Sequence, residues 1–296
     1  MSIDFKDQAG RGALASMDTP FPTADPWTTE ALNEIYATYG DRVFLKHKSL
    51  SKFGRTTNAD SGTKTTIATF GSVATVNVNE TFVTTNVIDE VSSSNTNDTE
   101  IVTIEGHTID GSGNLTFIAQ DATLTGQTPV TLTTPMARCN RIYVKNGTFA
   151  SPASDLVGDI YVYASDGVTV TAGVPQTSTA VKARIVAGKN QTEKCATSIS
   201  SVDYWLLTGA TVGINKDAGN TVTADFDIEV QERGGVWRPL GLELIARTSG
   251  DQKEIIRFEP YLIVPPNSDV RMVVVTNAAD TVCTAVISGT LALIEA

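Results

Sequence analysis

The chain has 296 residues, long enough for one large domain or two modest ones at roughly 100–200 residues each. Its formal net charge is −11. That excludes wrapping of nucleic acid as a primary task, because phosphate neutralisation needs clustered Lys and Arg. Three cysteines, Cys139, Cys195 and Cys283, stand too far apart for a C-x-x-C zinc or redox motif and read as small buried hydrophobes of a reducing compartment.

In chain order, residues 1–26 carry Gly10, Gly12, Pro20, Pro22 and Pro26 without a sustained period and read as an extended arm. The start lacks the basic-then-apolar pattern of a secretory signal. Trp27, Thr28, Thr29 and Glu30 then supply helix-start chemistry. Ala31, Leu32, Ile35, Tyr36 and Tyr39 fall on one stripe of a 3.6-residue period, and Gly40 is a natural stop. A short helix is expected there, followed by a short strand or extended link from Arg42. Arg42, Lys46, His47, Lys48, Lys52 and Arg55 make this link the one basic region of an acidic chain.

From Thr63 the period changes to 2, with short alternating strands rich in Thr, Val, Ala and Asn. Ala74–Val78, Ile101–Ile104, Arg141–Val144, Asp159–Tyr163 and Phe226–Val230 are the clearest. Turn chemistry separates them at Asp110–Asn114, Gly126–Pro129 and Glu232–Gly235, where glycine supplies the positive φ of a tight turn. Many short strands without intervening helices predict an all-β fold of tandem antiparallel β-sandwich or jelly-roll domains. The expected division is residues 1–60 as anchoring arm plus helix, 61–165 as the first β domain and 166–296 as the second. A single larger double-sheet domain is the alternative.

The chemistry-bearing residues are sparse. Neither His47 nor His107 has a second ligand at metal spacing, and no H-E-x-x-H, G-x-S-x-G or phosphate loop occurs. Asp110–Asn114 places oxygens as a calcium loop would but lacks that loop's glycine and distal glutamate, so a hairpin turn is expected. Asp225, Asp227 and Glu229 alternate with Ala224, Phe226, Ile228 and Val230 and are expected on a solvated sheet face. Trp205 reads as core. Trp237, just past Gly234 and Gly235, is expected near a loop end with Arg233 and Arg238 as a contact surface for a ligand or partner. No enzyme activity, cofactor, metal or membrane span is expected.

A resemblance adds to this. Phe53-Gly54-Arg55, then Glu105–Gly111, Leu124–Leu132, Arg138–Val144 and Gly158–Val162 follow one another in a characteristic order. Ala183–Thr192, Val230–Trp237 and Ile263–Val270 continue it. In this order the chain resembles, over roughly residues 50–296, a family of β-rich virion proteins of tailed bacteriophages. Thr56 stands where that family often has Asn. The resemblance implies a structural protein of the virion, assembled in the bacterial cytoplasm. The expected form is a capsid-associated decoration or cement protein that self-associates as a homo-oligomer. Its docking residues on capsid or connector subunits would be Trp27, Leu32, Ile35, Tyr36, Tyr39, Arg42, Lys46, Lys48, Lys52 and Arg55. The alternative is a tail- or connector-associated adsorption protein that binds a host receptor or carbohydrate through its loops.

Overall fold

The structure is a computed structural model. It describes residues 5–6, 12–13, 44–59, 61–68, 82–145, 156–215, 222–248, 252–278 and 281–294. The chain divides into two compact units, Met1–Phe44 with Glu295–Ala296, and Leu45–Ile294. In the first, the described elements are β1 (Phe5–Lys6) and β2 (Gly12–Ala13), an antiparallel pair. The expected helix at Trp27–Tyr39 and the strand at Ala74–Val78 lie outside the described residues.

The remaining strands follow in chain order: β3 (Phe44–Ala59), β4 (Thr65–Thr66), β5 (Ile88–Ser93), β6 (Ile101–Ile109), β7 (Leu115–Thr123), β8 (Val130–Met136) and β9 (Arg138–Val144). Next come β10 (Ile160–Ala164), β11 (Val170–Thr171), β12 (Val174–Pro175), β13 (Val181–Ile185), β14 (Ala196–Ser198) and β15 (Asp203–Asn215). Then follow β16 (Val222–Glu232), β17 (Arg238–Thr248), β18 (Gln252–Val264), β19 (Ser268–Thr276) and β20 (Thr281–Ile294). The fold is all-β, with several antiparallel sheets. Among the described residues the one helical element is a 3₁₀ turn at Ser178–Ala180.

Two sheets, ordered β13-β10-β5-β8 and β7-β6-β9, enclose one core. Ile104, Met136, Ile142, Ile160 and Val162 fill it. Two more sheets, β14-β19-β16-β17 with β4 on β19, and β18-β15-β20-β3, enclose a second core around Trp205, Phe226, Met272 and Ile287. Each large side chain removed from water in this way contributes about 1.5–3 kcal/mol. The three cysteines are buried thiols outside any disulfide, as expected. In β15, Trp205 and Leu207 face the second core, and so do Ala210, Val212 and Ile214. Against β20 a register shift between Leu207 and Gly209 inserts one residue and flips the side-chain phase, so odd then even positions meet the same core.

Three expectations are corrected here. The link from Arg42 is no short connector, since β3 runs to Ala59 and forms the edge of the sheet beside β20. Its outward row, Ser51, Phe53, Arg55 and Thr57, is exposed, while Lys52, Gly54 and Thr56 point inward. The expected boundary at residues 165/166 also falls inside the first pair of sheets, because β13 pairs with β10 along Ile160–Ile185. Turn residues at 165–167 signalled a reversal, and a reversal within a sheet looks the same in sequence as one between domains. Finally, Glu229 is not solvated. It is 3% exposed, because Arg271 and Lys64 cover the outer face of β16 on which it stands.

Candidate interaction surface

The halves of the Leu45–Ile294 unit meet along β9. Opposite Glu105 and Gly106 the register of β9 shifts, leaving Asn140 as an extra residue. The bulge aims Arg138 and Asn140 out of the first core while Cys139, Ile142 and Val144 stay in it. Gly106 permits the close approach, since a Cβ there would lie 1.9 Å from the Arg138 carbonyl oxygen.

Arg138 donates from Nε and Nη2 to the two carboxylate oxygens of Asp269 on β19, both at 2.8 Å. Its Nη1 donates to the carbonyls of Ala137 and Val83. Both side chains are less than a tenth exposed. The Ser198 hydroxyl also donates to Asp269. The Asn140 amide mimics a strand neighbour of β14: its Oδ1 accepts from Ser198 N at 3.1 Å and its Nδ2 donates to Ser198 O at 3.3 Å. Two buried lysines of the second half cap β9 carbonyls. Lys52 Nζ donates to Asn140 O at 3.1 Å, and Lys194 Nζ donates to Cys139 O at 2.8 Å. Backbone bonds from Thr192 to Ile142 and from Ser201 to Leu115 complete the seam.

Burial sets the titration here. Desolvation, helped by Arg138 and Lys52, lowers the His107 pKa to about 3, so the imidazole is neutral and faces Asn140 Nδ2 with Nδ1 at 3.3 Å. Desolvation, then Lys194, lowers Lys52 to about 8. Between about pH 6.5 and 3 the unfolded chain binds a proton at residue 107 that the folded one refuses. This histidine's contribution is therefore intact above about pH 6.5 and lost as pH falls toward 3. We expect His107→Gln to lose less stability than wild type between pH 7 and pH 4, measured by urea unfolding at each pH.

The loop end expected to carry contacts is built from two hairpins. The Asp110–Asn114 turn joins β6 to β7 as expected, with Asn114 N donating to Asp110 Oδ1 at 2.8 Å. That backbone bond chiefly holds the Asp110 carboxyl below its usual range. Arg233, exposed on the β16–β17 turn, reaches Asn114 Oδ1 at 3.4 Å. Between these turns lies a cavity of about 410 Å³ that also reaches Arg138 and Asp269. Trp237 is not a free platform: the Arg271 guanidinium sits 4.0 Å from its ring centre, and its ring packs on Phe82 at 5.5 Å. Arg271 in turn pairs with buried Glu229 at 2.8 Å, and Glu229 accepts from Lys64 at 2.6 Å. Arg238 begins β17 and is exposed.

Of the expected docking residues, Trp27, Leu32, Ile35, Tyr36, Tyr39 and Arg42 lie outside the described residues, as does the Lys46 side chain. Lys48 and Arg55 are exposed on β3. Lys52 is corrected: it is 8% exposed and its charge faces the seam, because β3 alternation turns it inward between Ser51 and Phe53. The seam residues Arg138, Asn140, Lys194 and Asp269 went unrecognised in the sequence. The available signal was a pair of polar residues two apart, Arg138 and Asn140, in an otherwise core-forming strand.

Among the described residues no three His, Cys, Asp or Glu side chains converge as a metal ion would require. Among them, too, no helix is long and apolar enough to cross a membrane. No protein-family model matches the chain, and no curated protein matches it. Solved structures give weak likenesses. A structure of infectious bursal disease virus, Gt strain, is 12% identical at TM-score 0.24, over 86% of this chain and 74% of that one. The VP2 subviral particle of the same virus is 11% identical at TM-score 0.21, over 91% and 78%. The tandem CBM22-1–CBM22-2 domain of Paenibacillus barcinonensis Xyn10C is 13% identical at TM-score 0.22, over 86% and 95%. At TM-scores this low they carry no argument about this chain.

Proposed function

We propose that this is a structural virion protein of a tailed bacteriophage, built as tandem β-sandwiches and attached to the capsid as a decoration protein. The observation that supports it is the seam. Arg138, Asn140, Lys52, Lys194 and Asp269 lock two β halves into one body, and buried polar groups hydrogen-bonded across a junction rigidify it. A rigid block of this kind suits a shell component, and the ordered motifs over residues 50–296 point to the same class. The exposed outward row of β3 with Phe53 and Arg55, together with the exposed Lys48, is the docking surface, where complementary charge orients association with an acidic neighbour.

Tracing the chain in cryo-electron density of assembled particles tests this. Density on capsomer surfaces is the expected result, and density confined to the tail axis overturns the decoration role. Lys48→Glu combined with Arg55→Glu is expected to lower occupancy on the particle by about tenfold, read by quantitative gel analysis of purified virions. The cavity between Arg233 and the Asp110–Asn114 turn favours a second reading, adsorption through the loop end. In that case Arg233→Ala reduces attachment to host cells while leaving particle occupancy unchanged.

A further inference from the structure

A second cavity, of about 580 Å³, opens where β3, β6, β14 and β20 approach one another. That size lies within the range of small-molecule sites. Leu50, Phe117, Ile199, Leu291 and Leu293 form apolar walls, and Phe117 is half exposed at the mouth.

The buried polar end is made of Lys52, His107 and Asn140, and the exposed Lys48 also lines the cavity. Asn140 is committed to Ser198 and His107, and His107 is neutral. Lys52 is different. Its side chain is more than nine-tenths buried, and among the described residues its ammonium has one hydrogen-bond acceptor, the Asn140 carbonyl, for three N–H donors. Two acids also line the cavity. Asp203 accepts from the Ser200 hydroxyl at 2.5 Å, and Glu105, placed across from Arg141 in the β6–β9 pairing, acts on Lys52 through space more weakly than burial and Lys194 do. A buried ammonium with open donors is costly, and an anionic partner offsets that cost most effectively when it also fills the apolar space beside it.

We propose that this cavity binds a small amphipathic molecule with a carboxylate head and an apolar body. The head accepts from Lys52 Nζ and the body lies against Leu50, Phe117, Ile199, Leu291 and Leu293. This goes beyond the structural role, and it makes the seam a ligand-responsive junction, since Lys52 and Asn140 belong to both. Burial and then the Lys194 charge lower the Lys52 pKa, with Glu105 acting more weakly in the opposite sense.

Isothermal titration of the full chain with octanoate and with octanol, matched in chain length, tests it. Octanoate is expected to bind at one site per chain, and octanol about tenfold more weakly or worse, since hydrogen bonds to charged groups exceed neutral ones by that much. Lys52→Met keeps the side chain's length and apolar stem and is expected to erase the difference. Phe117→Ala, at a half-exposed position, is expected to weaken both ligands. Equal binding of the two ligands to wild type overturns the anionic head, whatever the fate of the variants. Undiminished octanoate binding by a folded Lys52→Met chain, or no saturable binding by wild type, overturns the site.

Discussion

Asp269→Ala is expected to lower the unfolding free energy by about 3–5 kcal/mol, the usual cost of leaving one partner of a buried ion pair alone. Arg138 would keep its charge in a site where its side chain is 8% exposed, and would lose both 2.8 Å bonds to the carboxylate. The guanidinium could not swing out to water, because Nη1 is held by the Val83 and Ala137 carbonyls and its Cζ lies 4.9 Å from the Phe82 ring centre. Urea unfolding of wild type, Asp269→Ala, Arg138→Met and the double variant measures this. The double variant is expected to recover part of the loss, because removing both charges removes the orphan. Its residual deficit would report the abandoned Ser198 hydroxyl and the two carbonyls. If Asp269→Ala alone costs less than about 1 kcal/mol, the seam is wet and the rigid-block argument fails.

The second large effect is expected at Gly54, the centre of the Phe53-Gly54-Arg55 motif. A Cβ there would lie 2.2 Å from the Ile67 carbonyl oxygen and 2.4 Å from the Cys195 backbone nitrogen. Those two atoms are themselves hydrogen-bonded at 2.9 Å, so the methyl would press into that bond. Neither is the movable end of a side chain, so backbone must shift. Gly54→Ala is expected to cost about 3 kcal/mol, the upper end of overpacking, and to lower Tm by roughly 6–12 °C. Gly111→Ala is the control. Nothing lies within 4 Å of its added Cβ, and its Tm is expected to match wild type. Equal Tm values for Gly54→Ala and wild type would show that β3 does not seat against Ile67 and Cys195.

The motif's glycine was visible in the sequence, but its reason was not. It depends on Ile67 and Cys195, which stand 13 and 141 positions away. The same holds for the seam. Arg138 and Asp269 are separated by 131 positions, and the local pair Arg138 and Asn140 does not say which distant carboxylate it meets. Alternation places Glu229 correctly on the face opposite the core, with Ile228 and Val230 inward, but the sequence does not show that Arg271 and Lys64 cover that face. Lys52 was misread for a different reason. A basic cluster suggests a charged surface, yet in an extended strand every second residue turns inward whatever its charge.

What the sequence by itself determined is local. Period-2 alternation, glycine-bearing turns at Asp110–Asn114, Gly126–Pro129 and Glu232–Gly235, and the burial of Trp205 and the cysteines follow from propensities within a few residues. Only the tertiary structure decided which strands share a sheet, that β3 closes the sheet beside β20, that β13 belongs with β10, and that two halves lock through buried charge. The physical reason is that antiparallel strands carry little information about their partners. Hydrogen bonding of the backbone is the same for any pair, and register is chosen by bulges and by the close approach of glycines to backbone far away in the chain.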